Sequence, residues 1–337
     1  MKMAQRRKAE IMTSYEDRIK KQVEQYQHTE TMHVNSSISD YYKEKYIRHK
    51  WRSIFSPARN HYEFYANQII DDLRSTQSKV CLSVGSGDAN IEIEVAKIIK
   101  TQLPDFFIEL TELSEFQMER AKASVMREGL GDHFRFNMVD INNWAPSTSY
   151  AAVMAHHSLH HVVNLEKLFD GVKESLLGSF CTMDMIGRNG HMRWPETLEI
   201  IEHIWEILPK EKKFHNQLKI TWEKFVNHDC SSEGFEGIRS QDILPLLIER
   251  FNFNKFFAFG GIIDPFVGRG FGQNYSRKEP LDKSLIDLIA FLNDLLIDLG
   301  RIKPTQMHAV MSKDNLNSIT TSYGKLTPEF CIRDPKI

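Results

Sequence analysis

The sequence predicts an α/β fold: a doubly wound, mostly parallel seven-stranded sheet, with an N-terminal helical cap and an inserted lid. Three observations carry this expectation. Short apolar runs alternate with helix-length amphipathic segments between residues 79 and 186. The apolar runs are nearly continuous, as strands covered on both faces must be. The first run, Val80 to Val84, ends in Gly85-Ser86-Gly87 and leads directly into a helical segment, forming a strand–turn–helix unit.

Residues 1–75 read as a helical arm and cap. Residues 1–35 are charged, helix-prone and free of Pro and Gly. Asn35-Ser-Ser-Ile-Ser-Asp40 carries an N-cap signal. Behind it Tyr42, Tyr46, Trp51 and Phe55 recur at roughly helical spacing, as core packing or as a lid over a ligand. Residues 76–187 form the core: strand 79–84, helix 90–100, strand 106–111, helix 114–127, strand 134–139, strand 150–155, helix 164–176 and strand 179–186. Residues 188–240 interrupt the alternation and read as a substrate lid. Pro195 opens a helix to about Leu208, and Lys210 to Cys230 reads as a second helix with Phe214, Leu218, Trp222 and Phe225 on one side. Residues 241–315 return to the core, with helix Gln241 to Phe251, strand Phe253 to Phe259, a glycine-rich loop, a helix at 282–299 and a strand from Met307 to Met311. Residues 316–337 are a tail.

The 337 residues suffice for a sizeable core. A hydrophobic fraction of 41% and a charged fraction of 26% describe a soluble globular chain, and the net charge of -2 gives no global pull toward nucleic acid or anionic membrane. Residues 1–60 hold 13 Lys/Arg against seven Asp/Glu, which reads as a solvated cap or a basic docking surface. Cys81, Cys181, Cys230 and Cys331 form no CxxC pair, so a reduced, cytoplasmic setting is expected. No run of eighteen apolar residues exists; Leu285 to Leu299 is broken by Asp287, Asn293, Asp294 and Asp298, so no membrane partner is expected.

Ligands of such sheets bind outside the carboxyl ends of the strands. At the first strand end, Gly85 and Gly87 let the backbone approach a ligand, and the following helix offers unpaired N–H groups. Asn90 stands where a dinucleotide fingerprint has its third glycine, and no P-loop is present. Glu112 ends the second strand, where a carboxylate accepts both hydroxyls of a ribose. Asp140 after the third strand supplies an acceptor for an adenine amino group, and Ile141 an apolar contact for the ring. The site fits an adenosine ligand.

From about residue 78 to 188 the chain resembles the class I S-adenosylmethionine-dependent methyltransferases, of a bacterial small-molecule type. Leu82-Ser-Val-Gly-Ser-Gly87 resembles the family's first motif, and Glu112-Leu-Ser-Glu-Phe-Gln-Met-Glu-Arg-Ala121 its second. Asp140 falls at the third, and His156-His-Ser-Leu-His-His-Val162 at the fourth. The resemblance implies a Rossmann-like methyltransferase fold and S-adenosyl-L-methionine as cofactor, held by Ser83, Gly85, Ser86, Gly87, Glu112, Leu113, Asp140, Ile141 and His156. Two positions depart from the pattern. Ser83 replaces the usual acid, and Ala89 stands where a last glycine is common.

Methyl transfer demands alignment above all. A hydroxyl acceptor also benefits from a general base near pH 7, usually histidine. His156 and His157 at the fourth strand end and His191 in the loop after the fifth are the candidates, with Asp184 to orient one of them. His156/His160 and His157/His161 are i, i+4 pairs that could ligate a metal on a helix; pocket lining and helix capping are the favoured reading, and no metal is expected. Arg188, Arg193 and Arg269 are bidentate donors in loops on the ligand side, suited to a phosphate- or carboxylate-bearing acceptor. Asn274 and Tyr275, in the glycine-rich loop, are further polar contacts.

The expected activity is O-methylation of a small-molecule or glycan-type metabolite. Protein or RNA methylation is the alternative, with residues 1–60 as docking surface. The Asn/Asp-Pro-Pro-Tyr/Phe motif of nucleobase amine methylation is absent, so a nucleic-acid substrate is disfavoured. A non-catalytic cofactor-binding domain with a regulatory or assembly role is a third reading. A homodimer is left open.

Overall fold

The structure is a computed structural model, and it describes residues 15–27, 36–232, 234–313 and 320–333. Expectations for residues 1–14, for 28–35 and for part of the tail lie outside the described residues.

An N-terminal helical layer contains α1 (Tyr15–Gln27), α2 (Ser37–Tyr42), α3 (Arg48–Phe55) and α4 (His61–Ser75). Ser36 caps α2 by accepting from Ser39 N, and Asn60 caps α4 by accepting from Glu63 N. The alternation follows as β1 (Val80–Val84), α5 (Asn90–Lys100), β2 (Phe107–Glu112), α6 (Glu115–Arg127), β3 (Phe134–Met138), β4 (Tyr150–His156), α7 (Leu165–Ser175) and β5 (Leu176–Met185). Then come α8 (Pro195–Ile207), a hairpin of β6 (Phe214–His215) and β7 (Ile220–Thr221), α9 (Ser240–Arg250) and β8 (Asn252–Phe259). The chain continues through α10 (Asp264–Val267), α11 (Pro280–Asp298), β9 (Gln306–Ser312), β10 (Thr321–Ser322) and α12 (Pro328–Cys331).

The main sheet runs β10-β8-β9-β5-β4-β1-β2-β3. β9 is antiparallel to both neighbours, and every other pairing is parallel. This is the doubly wound sheet the sequence predicts, with one correction: eight strands, not seven. The addition, β10, is two residues long and lies on the sheet edge, too short for any hydrophobic period.

Strand side chains alternate between two apolar layers. Cys81, Met154 and Cys181 face the side that holds α4, α5 and α11, through residues such as Ile69, Ile99 and Ile289. Leu82, Val153 and Phe180 face α7 and α9, through Phe169, Leu244 and Leu247. Tyr42, Trp51 and Phe55 are buried in the first layer, and Trp51 Nε1 donates to His308 Nδ1 at 2.8 Å. The aromatic stripe therefore belongs to the core.

The helix expected over 210–230 is absent. Lys210–Lys213 is one 3₁₀ turn after Pro209, and the chain then forms the β6–β7 hairpin. Trp222 and Phe225 still find burial, against Trp205 and Phe271. Leu218, the residue a helical face would need, is exposed. Tertiary packing of two aromatics outweighs a weak local propensity here.

Candidate active site

The carboxyl ends of β1, β2, β4 and β5 meet at one end of the sheet. Gly85 and Gly87 have φ of 68° and 56°, in the left-handed region that glycine adopts without strain. A Cβ on Gly85 would lie 2.7 Å from the Ser158 Cβ, so the turn packs directly on the segment after β4. Ser158 Oγ donates to Val84 O at 2.5 Å and fixes that contact. Ala89, at the position where the family favours glycine, also sits at φ 58°.

Glu112 closes the turn from the β2 side. Its Oε2 accepts from Gly87 N at 3.0 Å, and its Oε1 accepts from Leu113 N at 2.9 Å and Ser114 N at 2.8 Å. A carboxylate has about four acceptor positions, so three amides leave one available. Burial raises the Glu112 pKa, and these three amides work against that rise.

Ser83 is also paired. Its Oγ donates to Glu92 Oε1 at 2.6 Å, and Glu92 rises from the first turn of α5 beneath the glycine turn. Glu92 is 2% exposed, and its Oε2 has no hydrogen-bond partner among the described residues. Burial pushes its pKa up to about 7, against the opposing hydrogen bond from Ser83. A buried carboxylate from α5 thus stands beside Ser83.

Asp140 caps a 3₁₀ turn, accepting from Asn142 N at 3.0 Å. The Tyr15 hydroxyl reaches both of its carboxylate oxygens, at 2.9 and 2.8 Å. Arg18 on the same helix donates to the carbonyls of Ser231 and Gly234, and the Tyr15 ring packs on Phe235 with centroids 5.3 Å apart. Helix α1 therefore spans from the β3 end to the 188–240 segment. Ile141 lies against the turn: its Cδ1 would stand 3.1 Å from a Cβ on Gly85.

The tandem histidines do not share a helix. His156 ends β4, and Leu159–His161 is a single 3₁₀ turn, so the i, i+4 pairs are not stacked on one helical face. His156 Nδ1 is 3.3 Å from the Tyr65 hydroxyl, and its ring stacks on His61 at 5.7 Å. Burial, then the neighbouring histidines, hold its pKa well below the usual range. His157 has φ 51°, is exposed to solvent and sits in a cleft crowded by protein. That crowding, with the charges of His160 and Arg269, lowers its pKa against the pull of Asp184.

Asp184 orients a histidine, and that histidine is His160. His160 Nδ1 donates to Asp184 Oδ1 at 2.6 Å, while Ser158 N and Leu159 N donate to Oδ2. Burial disfavours charge on both groups, but their mutual attraction wins. His160 is raised to about 10 and Asp184 lowered to about 2. His191, at φ 55°, places its Nε2 2.8 Å from Glu236 Oε1.

The remaining candidates separate. Arg193 is bound to Asp264 Oδ2 at 3.2 Å, and Arg188 donates to Arg193 O and lies over Trp194. Arg269 is exposed, and its charge acts on His157. Asn274 Nδ2 donates to Phe214 O and Lys212 O, and its Oδ1 accepts from Asn216, so the side chain holds the hairpin. Tyr275 is buried beneath Lys212, 4.9 Å from the ring centroid. Four further residues at this end escape a reading of the sequence: Tyr15, Tyr65, Glu92 and Glu236. For Glu236 the available signal was its place between two glycines, Gly234 and Gly237.

No protein-family model matches the chain, and no curated protein matches it in sequence. Three of the solved structures to which the chain is similar are methyltransferases. Geranyl diphosphate C-methyltransferase from Streptomyces coelicolor A3(2) has 12% identity and a TM-score of 0.40 over 74% of this chain and 75% of that one. The O-methyltransferase of a trans-AT PKS multienzyme of Brevibacillus brevis has 13% identity and a TM-score of 0.40, over 85% of this chain and 82% of that one. The StiE O-methyltransferase has 11% identity and a TM-score of 0.42, over 87% and 91%. The sheet order, with antiparallel β9 between β5 and β8, is the Rossmann-like methyltransferase fold that the sequence resemblance implies.

Proposed function

We propose that the chain is an S-adenosylmethionine-dependent methyltransferase acting on the oxygen of a small-molecule acceptor. One observation carries the reading: the glycine turn, the Glu112 carboxylate and the His156–His161 segment converge at adjacent strand ends, and the turn is locked to both. The residues present fit the cofactor. Glu112 retains an acceptor position for a ribose hydroxyl. The Ser83–Glu92 pair puts a buried carboxylate under the turn, suited to the ammonium end of the ligand. Asp140 is an adenine acceptor once Tyr15 withdraws, which makes α1 a lid over the cofactor.

The bound cofactor supplies an electrophilic methyl group on a good leaving group. The protein's part is to align the acceptor and to take its proton. His157 is the base we assign: it lies at the β4 end and is open to solvent. Arg269 beside it suits an anionic or carboxylate-bearing acceptor. His156, half-buried against Tyr65 and His61, lines the floor. Calorimetric titration with S-adenosylmethionine, and release of S-adenosylhomocysteine with candidate acceptors, test the reading. Binding that E112A leaves unchanged overturns it.

A further inference from the structure

We propose that this chain carries a mononuclear site for a divalent first-row transition metal, built from His160, His161 and Glu236, whose ligand atoms all lie within 4.8 Å of one another, with His191 holding the carboxylate. The Nε2 atoms of three histidines surround one carboxylate. His191 Nε2 lies 2.8 Å from Glu236 Oε1, His160 Nε2 lies 3.5 Å from Oε1, and His161 Nε2 lies 3.6 Å from Oε2. The last two separations are at or beyond the limit of a hydrogen bond. They do match the spacing of donors around one ion: ligand atoms about 2.1 Å from a tetrahedral centre stand about 3.4 Å apart. His161 Nδ1 is buried without a hydrogen-bond partner among the described residues, and Nε2 is the nitrogen that faces Glu236. A cation at the centre of the cluster would use the His161 Nε2 lone pair that no hydrogen bond uses.

Two further features support a built site. Asp184 grips the Nδ1 of His160 at 2.6 Å, so a metal ion arriving at Nε2 displaces the proton there and completes a carboxylate–histidine–metal arrangement. The loops that bring the ligands together are tied to one another. Gly190 N donates to Gly237 O at 2.8 Å, and Ile238 N donates to His160 O at 3.0 Å. His191 holds its ring toward Glu236 from φ 55°, a strained setting for a residue with a side chain. Two imidazoles and a carboxylate suit zinc, cobalt or iron(II) far better than magnesium or calcium. The sequence offers a metal only through helical i, i+4 pairs, with pocket lining and capping favoured over it. The cluster uses adjacent histidines and one distant loop instead, and it stands independently of the methyltransferase reading.

The full-length chain, stripped with a chelator and dialysed, is titrated with Co²⁺ and then Zn²⁺. The expected result is one Co²⁺ per chain, visible d–d absorption of a low-symmetry nitrogen-rich site, displacement by Zn²⁺, and a higher melting temperature with Zn²⁺. H161N and E236Q should each weaken Co²⁺ binding at least about tenfold, and D184N about tenfold by loosening His160. H203A, at an exposed histidine on α8, should bind as the wild type does. Glu236 is on a part-exposed loop, so E236Q tests the site even where the buried variants fail to fold. Wild-type binding weaker than stoichiometric, or equal binding by wild type and E236Q, overturns the proposal.

Discussion

Replacing Glu92 by glutamine should stabilise this chain at neutral pH while weakening its hold on the cofactor. Glu92 is 2% exposed, and its pKa stands at about 7 against an ordinary 4.5. The folded state therefore binds its proton more tightly than the unfolded state. The associated stability is fully present below pH 4.5 and declines as pH rises, until the folded group itself ionises near pH 7. At about 1.4 kcal/mol per unit, the full loss is about 3 kcal/mol. Glutamine keeps an oxygen to accept from Ser83 and cannot ionise. The difference between E92Q and wild type should grow from near zero at pH 4.5 to about 3 kcal/mol in favour of E92Q at pH 8. Urea denaturation across that range reads the difference from paired midpoints at a common slope. A difference that varies by less than about 1 kcal/mol over the range would refute the assignment of a buried, protonated Glu92. Calorimetry on the same variant should show weaker S-adenosylmethionine binding, because the carboxylate beneath the turn is lost.

The other expectations concern single contacts. G85A places a Cβ 2.7 Å from the Ser158 Cβ at a φ of 68°, so it should destabilise the fold by about 2 kcal/mol and abolish cofactor binding, read by thermal melting with and without ligand. Y15F removes the hydroxyl that occupies Asp140 and should tighten cofactor binding about fivefold, in a calorimetric comparison with wild type. H157N keeps a residue that tolerates φ 51° but deletes the base; kcat should fall about 100-fold or more with little change in cofactor affinity. R239A breaks a two-point pairing with Glu166, at 2.6 and 2.8 Å, and should cost about 1 kcal/mol without altering cofactor binding.

The sequence revealed most where local chemistry and tertiary structure agree. β1, β2 and β4 were legible because nearly continuous apolar runs end at a turn or an acid, and Glu112 could be placed from the strand end alone. The 210–230 segment was not. Its aromatics are spaced like a helical face, but Trp222 and Phe225 are partly buried against Trp205 and Phe271 from elsewhere in the chain. Glu92 was concealed by the alternation Ile91-Glu-Ile-Glu-Val95, which does not distinguish the acid facing β1 from its exposed neighbour. Tyr15 on Asp140 and His191 on Glu236 join residues 125 and 45 positions apart. No local period encodes such contacts; they follow only from how the loops are placed at the strand ends.

The position of β9 has a consequence for how the chain assembles. Among the described residues, 306–312 form the only ladder joining β5 to β8, and they pair with both along their length. During synthesis β5 and β8 are both made before their shared neighbour. Until it arrives, two rows of unsatisfied backbone groups face each other across an open slot. The sheet then closes like a zip from a late segment, a long-range event that is slow compared with local strand–helix packing. The half-built molecule carries open strand edges on β5 and β8, and cells that make it at high levels should show aggregation of chains stopped before residue 306.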